Sequence, residues 1–311
     1  MISIAIHGGA GTMRAADLTA AMTEARHEGL RAALRAGWSV LRGGGAALDA
    51  VSAAVCALED DPLFNAGHGA VLTDAGTIEM DAGIMNGADR RAGAVAGICG
   101  PRNPVLGARA VMETTPHLLM IGAGAHGVAR DAGLVFMPDA YFETPNRRAA
   151  LEREMARRAA GAPDTRSDAD RHGTVGAVAR DAGGHLAAAT STGGMTGKRS
   201  GRVGDTPVIG AGTYADDVCA VSCTGTGEVF IRYTAAAEIA ARIRYKGEAI
   251  GQAAGDVVAE LAGHGGDGGL IALGRAGEPV LPFNSSGMYR GYVDAEGRLC
   301  TAIHREAFRY G

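Results

Sequence analysis

"HGTVGAVARDAGGHLAAATST", His172 to Thr192, holds two apolar runs of strand character, one starting at Thr174 and one at Leu186, separated by the turn signal Asp181-Ala182-Gly183-Gly184. So short a turn returns the chain antiparallel, and the stretch reads as a hairpin instead of half of a strand-helix-strand crossover. Just upstream, "GAPDTRSDADRHG" from 161 to 173 has almost no apolar residue and reads as a mobile loop. Downstream, "VCAVSCTGTGEVFIRY" runs a strand through glycines into a helix expected to extend to about Ala262, and "GLIALGRAGEPVLPF" and "YRGYVDAEGRLCTAIH" read as further hairpins.

Toward the N-terminus the same punctuation continues. Residues 2 to 7 read as a strand, "HGGAGT" as a turn, Leu18 to Leu41 as an amphipathic helix, and Ala46 to Leu58 as a second helix that ends before Pro62. "GAVLTDAG", "TIEMDAGIM" and "AGAVAGIC" suggest an antiparallel meander, followed by a helix from Pro104 to Glu113, a strand "HLLMIGAG" and a charged helix over 144 to 160. Strands and helices thus come in blocks. This favours an α+β fold of layered antiparallel sheets with helices over a doubly wound parallel sheet.

At 311 residues the chain can form one large domain or two. Glycine supplies 49 residues, about twice the usual share, so many turns and close backbone approaches are expected. A formal charge of -4 offers no general attraction to nucleic acid or to an anionic membrane, so a small-molecule substrate is expected. Five cysteines without a CxxC argue against a disulfide framework or a zinc site and suit a reducing, cytoplasmic compartment. "MISIAIHGGAG" has no basic start, so it reads as a first strand and not as a signal peptide.

Several glycine-rich stretches invite chemistry. "GAGAHG", Gly122 to Gly127, matches GxGxxG after a strand, but the helix that follows reads as barely two turns long, and a plain strand-to-helix turn is the better reading than a dinucleotide site. "TGTGEVF", Thr224 to Phe230, lacks the Lys-Ser/Thr of a nucleoside-triphosphate loop; alone it reads as a helix cap, although its glycines can aim N–H groups at an oxyanion. No HExxH or comparable metal spacing occurs among the nine histidines.

Thr174 combines type and place. A threonine hydroxyl is a weak nucleophile unless a base adjoins it, and an N-terminal threonine carries its own base, an α-amine of pKa about 7.7 to 8.0. That would require cutting the chain after Gly173, at the end of the polar loop. Taken alone, Thr174 reads better as a β-branched residue opening a strand. Thr192, at the far end of the hairpin, returns to the side of Thr174, and Arg202 with Asp205 in "GRVGDTP" offers a guanidinium fork and a carboxylate suited to the two charges of an amino acid. A surface ion pair is the plainer reading of those two.

With "SCTGTGEVFIR" added, "HGTVGAVARDAGGHLAAATSTGGMTGKRSGRVGDTPVIGAGTYA" closely resembles the plant-type L-asparaginase and isoaspartyl peptidase family of N-terminal nucleophile hydrolases. The likeness extends to "IHGGAG" at 6 to 11, "DPLFNAGHGAVLT" at 61 to 73, "NPVLGARAVME" at 103 to 113 and "FNSSGM" at 283 to 288. The resemblance implies a four-layer αββα sandwich forming a single domain, self-cleaved into residues 1–173 and 174–311, with the two pieces paired as a dimer of α-β heterodimers. It implies Thr174 as nucleophile freed by cleavage after Gly173, Thr192 as its hydroxyl neighbour, Arg202 and Asp205 as anchors of an aspartyl group, Thr224 and Gly225 as oxyanion hole, and Gly227 lining the pocket. Asn65 resembles the family's asparagine beside the active site, and "HGGAG" the loop beneath the threonine. No cofactor is implied for the chemistry, but a structural sodium loop of backbone carbonyls is, falling on Leu58, Glu59, Asp61, Phe64, Ala66 and His68. His68 stands where an apolar residue is common in the family. The implied reaction is hydrolysis of β-aspartyl dipeptides and L-asparagine to L-aspartate through an acyl-enzyme. The alternatives are a glycosylasparaginase-like amidase, from which Gly173 in place of an aspartate points away, and an uncleaved, non-catalytic member of the same fold.

Overall fold

The structure is a computed structural model that describes residues 1–11, 18–163 and 173–311. The chain runs β1 (Ser3–Ala10), α1 (Ala20–Arg42), α2 (Ala47–Asp60), a 3-10 turn (Gly67–Gly69), β2 (Met80–Asn86), β3 (Ala92–Ile98), α3 (Pro104–Thr114), β4 (Leu119–Ile121), α4 (Gly122–Asp131), α5 (Asp139–Phe142) and α6 (Pro145–Ala159). It continues through β5 (Val175–Arg180), β6 (Leu186–Thr192), β7 (Thr213–Ala215), β8 (Cys219–Gly225), α7 (Gly227–Tyr233), α8 (Ala235–Ala241), a π turn (Arg242–Lys246), α9 (Ile250–Ala262), β9 (Gly268–Gly274), β10 (Met288–Val293), β11 (Leu299–Ala302) and β12 (Arg309–Tyr310). The fold is mixed α+β. One sheet has the order β12-β11-β10-β1-β5-β6-β2-β3-β4 and the other β7-β8-β9, with every pairing antiparallel except β3 with β4.

Period-2 alternation splits the central strands between two apolar cores. Ile4 and Ile6 of β1, Val175, Ala177 and Ala179 of β5, and Ala187 and Ala189 of β6 join one core with Leu30 and Leu34 of α1 and Val51 and Val55 of α2. Ala5, Val178 and Ala188, of opposite parity, join the other with Val221 and Cys223 of β8, Leu270 and Ile271 of β9, and Val257 of α9. These strands are therefore buried on both faces, which is why their sequence reads as nearly continuous apolar runs. Helix α1 starts at Thr19, whose side chain accepts from Met22 N–H, and buries His27, Leu30, Ala33, Leu34, Gly37 and Leu41 at helical spacing. Gly37 lets α1 close on α2: a Cβ there would lie 2.8 Å from the Ala50 carbonyl oxygen.

Three expectations need correction. "GAVLTDAG" is not a sheet strand: it turns back at Thr73–Gly76, where Gly76 N–H bonds to Thr73 O, and Leu72 and Asp74 bond instead to the 197–198 segment, through Gly197 N to Leu72 O and Asp74 N to Lys198 O. "GAGAHG" is not a turn after a long strand but the first part of α4, which leaves only three residues for β4. The helix expected to reach Ala262 is broken at Thr234 (φ 44°), because Ala236 and Ala237 N–H bond to the carbonyls of Ala211 and Gly210 and so restart the helix as α8. The polar loop expected over 161 to 173 falls mostly on 164–172, outside the described residues.

Candidate active site

The hairpin register pairs Val175 with Ser191, so Thr174 and Thr192 meet at the open end of β5 and β6. Residues 174, 176 and 178 share a parity with 188, 190 and 192, placing both threonines on the side of the second core. Thr174 Oγ1 donates to Thr192 Oγ1 at 3.2 Å, and Gly194 N–H also donates to Thr192 Oγ1 at 2.9 Å. The proton of Thr192 then goes to the Gly173 carbonyl oxygen, 2.8 Å away. Asn65 Nδ2 donates to that same carbonyl at 2.9 Å, so the bond joining Gly173 to Thr174 has its oxygen held by two donors. Asn65 is itself fixed by Nδ2 to Gly194 O at 2.6 Å and by Val71 N–H to Oδ1 at 2.9 Å. Gly173 has φ +152°, and a Cβ on it would come within 2.8 Å of the Asn65 Cβ. Only glycine fits without displacing Asn65. From below, Gly9 (φ +112°) approaches so closely that its Cβ would lie 3.2 Å from Thr174 N, and His7 Nδ1 is 2.8 Å from the Thr174 carbonyl oxygen.

Facing these groups is a cleft of about 260 Å³, open solvent included, lined by Thr174, Thr192, Met195, Arg202, Asp205 and Gly225 among others. Asp205 is buried, and its desolvation pushes the carboxyl up to about 7, with Arg202 opposing. Its Oδ2 is a buried acceptor without a hydrogen-bond partner among the described residues. Asp81 Oδ2 accepts from Gly204 N–H at 3.3 Å, which ties the loop between Arg202 and Asp205 to the strand position opposite Thr192. Gly227 packs against both Asp205 and Arg202: a Cβ there would lie 2.9 Å from Asp205 Oδ1 and 3.1 Å from Arg202 Nη2. Gly225 (φ +152°) lines the cleft, whereas Thr224 is fully buried, its Oγ1 accepting from Ala10 N–H at 3.0 Å.

Arg202 has two neighbourhoods. It borders the cleft, yet its Nε and Nη2 fork onto the carboxylate of Glu228 at 2.8 to 2.9 Å. Sequence reading overlooked Glu228, although it stands inside the "TGTGEVF" motif; nothing local says that it meets a residue 26 positions back. It also overlooked the buried Lys198, whose Nζ donates to Glu79 O at 2.7 Å and whose ammonium is pushed below its ordinary pKa by burial.

The residues of the implied sodium loop lie together where α2 ends. Leu58 and Glu59 belong to its last turn, whose carbonyls form the negative end of the helix dipole, Leu58 O also accepting from Asp61 N–H at 3.4 Å. Gly67 and Gly69 keep the following turn tight: Cβ atoms there would fall 2.3 Å from Glu59 O and 2.1 Å from Phe64 O. The His68 ring stacks on Tyr141, centroids 4.5 Å apart, so its side chain is occupied elsewhere. This donor set of neutral carbonyl oxygens fits a hard monovalent cation. Among the described residues, no three His, Cys, Asp or Glu side chains are grouped to hold a metal ion, and no helix is long and apolar enough to cross a membrane.

The asparaginase family model matches residues 1–303. The chain belongs to the asparaginase family. It is 49% identical to an isoaspartyl peptidase of Salmonella typhimurium, covering 97% of this chain and 98% of the relative, and 48% identical to one of Escherichia coli, covering 97% and 96%. A plant-type L-asparaginase of Pyrococcus abyssi is 44% identical over 84% of this chain and 85% of its own length. The family match spans both the segment of Asn65 and that of Thr174.

Proposed function

We propose that this chain is a self-processing threonine amidohydrolase that releases L-aspartate from β-aspartyl dipeptides and L-asparagine. The observation that carries the reading is the Gly173 carbonyl, held by Asn65 and Thr192 beside a cleft that also presents Arg202 and the unsatisfied Asp205. In the first reaction Thr174 Oγ attacks the Gly173 carbonyl carbon, Asn65 and Thr192 stabilise the oxyanion, the hydroxyl proton passes to the Thr174 nitrogen as the C–N bond breaks, and water hydrolyses the resulting ester. This leaves Thr174 with a free α-amine at the head of residues 174–311.

In the second reaction the amine takes the hydroxyl proton as Oγ attacks the side-chain carbonyl of the substrate. Arg202 grips the substrate α-carboxylate, and the Asp205 carboxylate accepts from its α-ammonium. Gly225 N–H and the Thr224 hydroxyl face the new oxyanion; because Thr224 Oγ1 accepts from Ala10, its own proton is free to donate. The proton passes to the leaving nitrogen, ammonia or an amino acid departs, and water releases aspartate from the ester. A sodium ion held by Leu58, Glu59, Asp61, Phe64, Ala66 and His68 would stiffen the loop that carries Asn65. The proposal includes the αββα sandwich, α1 to α3 outside the large sheet and α7 to α9 outside the small one, in a single domain. It also includes a cytoplasmic dimer of heterodimers, as the resemblance implies.

The test is aspartate release from β-Asp-Leu, L-asparagine and α-Asp-Leu side by side. The first two should be hydrolysed and the third spared, because its α-carboxylate is consumed in the peptide bond and cannot reach Arg202. Comparable turnover of both dipeptides would refute the anchoring scheme.

A further inference from the structure

A buried line of polar side chains crosses an otherwise apolar region to reach the back of Thr174. His7 Nδ1 is 2.8 Å from the Thr174 carbonyl oxygen and His7 Nε2 is 2.8 Å from Ser222 Oγ. Ser222 Oγ is 2.8 Å from Thr190 Oγ1, and Thr190 Oγ1 is 2.7 Å from Thr213 Oγ1. Thr213 Oγ1 is in turn 2.9 Å from the carbonyl oxygen of Thr206, the neighbour of Asp205. His7, Thr190, Thr213 and Ser222 are all fully buried.

Proton bookkeeping gives this line a direction. A carbonyl oxygen only accepts, so His7 Nδ1 carries a proton. Burial drives the ring pKa down to about 3, far more than the Thr174 carbonyl raises it, so the ring is neutral and Nε2 must accept. Ser222 therefore donates to Nε2, Thr190 donates to Ser222 at 2.8 Å in preference to the Gly212 carbonyl oxygen at 3.4 Å, and the single proton of Thr213 is divided between Thr190 and Thr206 O. Every hydroxyl from Thr190 onward points its proton toward the Thr174 carbonyl. Gly176 makes room for the crossing: a Cβ there would lie 2.0 Å from Ser222 Oγ and 2.5 Å from His7 Nε2.

We infer that His7 is a positioning residue for the nucleophile, and that Ser222, Thr190 and Thr213 hold its ring in the one tautomer that can bond the Thr174 carbonyl. The inference rests on the proposed cleavage. Once the Gly173–Thr174 bond is cut, Thr174 becomes a chain end, and chain ends fray unless tied down. Its amine must stay free for proton transfer, so the carbonyl is the backbone handle that remains on this residue, and His7 holds it. The hydroxyl line also joins that handle to the loop of Asp205, so nucleophile and anchor are set by one network.

Ser222→Ala removes one oxygen and leaves Nε2 without its donor, so the ring can redistribute to the tautomer that turns a lone pair on the Thr174 carbonyl. The expected result is a fall of about 10- to 100-fold in kcat and in self-cleavage rate, with KM for L-asparagine within about threefold, since misplacement of a nucleophile by a fraction of an ångström costs rate and not binding. Thr190→Val should act in the same direction, and Thr190→Ser, which keeps the hydroxyl, should restore most of the rate. Selective 15N-histidine labelling reads the tautomer without reference to activity: protonated Nδ1 and bare Nε2 for His7 in the wild type, redistributed in Ser222→Ala. A lower Tm with unchanged kcat, or Thr190→Ser as slow as Thr190→Val, overturns the inference. If Ser222→Ala does not fold, the Thr190 pair decides by the same rates. A wild-type protein that neither cuts itself nor releases aspartate, with His7 in the expected tautomer, would instead fault the functional reading.

Discussion

Replacing Asn65 by alanine strips the Gly173 carbonyl of one of its two donors and leaves Thr192 as the other. Loss of one oxyanion donor typically slows acyl transfer by about 100- to 1,000-fold, roughly 2.7 to 4 kcal/mol of barrier. Self-cleavage of Asn65→Ala should slow by that factor. The same change strands Val71 N–H and Gly194 O, each of which loses its Asn65 partner, and one stranded buried group costs about 1 to 3 kcal/mol of stability. A lowered Tm should therefore accompany the slower cleavage, in Asn65→Ala and in Asn65→Asp alike. That variant keeps the acceptor for Val71 but turns a carboxylate oxygen on two carbonyl oxygens, so it should cleave no faster than Asn65→Ala. The assay is intact mass against time at neutral pH, with Tm in parallel. Cleavage of folded Asn65→Ala within about threefold of wild type would refute the assignment of Asn65 as an oxyanion donor.

Thr174→Ala should remain one folded, inactive chain, as seen on a denaturing gel and in the aspartate assay; a cut and active variant would mean another nucleophile. Asp205→Asn should weaken substrate binding, raising KM by about 10- to 100-fold for loss of a charged hydrogen bond of roughly 1.5 to 3 kcal/mol, yet raise Tm at neutral pH. The sign follows from burial: with a folded pKa of about 7 above an ordinary 3.8, Asp205 destabilises the fold progressively as pH rises from about 4 to 7. The same carboxylate must be ionised to hold an ammonium, so kcat/KM should fall as pH drops through about 7 while this group's contribution to stability improves. Arg202→Ala should raise KM strongly but cost little stability, since its partner Glu228 is 56% exposed and such surface pairs are worth about 0 to 1 kcal/mol; a large drop in Tm with unchanged kinetics would favour a purely structural ion pair.

Features that depend on near neighbours were readable from the sequence. The Thr174–Thr192 hairpin follows from alternation and a short turn, and α3 and α6 follow from prolines at their first turns together with helical spacing. Features set by distant partners were not. Nothing around Thr234 announces that Ala236 and Ala237 will bond to Ala211 and Gly210, which breaks the expected helix. His7 and Ser222 are 215 residues apart and meet only because β1, β5 and β8 come together. The Asn65 contacts with Gly173 and Gly194 span 108 and 129 residues, so its place beside the Gly173–Thr174 bond came from resemblance alone. The fork of Arg202 on Glu228 shows the same limit inside the site: both residues stood in motifs of interest, but their pairing needs the loop after β6 and the start of α7 to converge.

The central claim is that Thr174 becomes the N-terminus of a catalytic chain. Intact mass spectrometry of the purified wild-type protein after incubation at neutral pH, combined with N-terminal sequencing, tests it most directly. The expected result is two fragments, one ending at Gly173 and one beginning at Thr174, appearing in step with release of aspartate from β-Asp-Leu. A chain that stays whole for days while hydrolysing that substrate would contradict the claim.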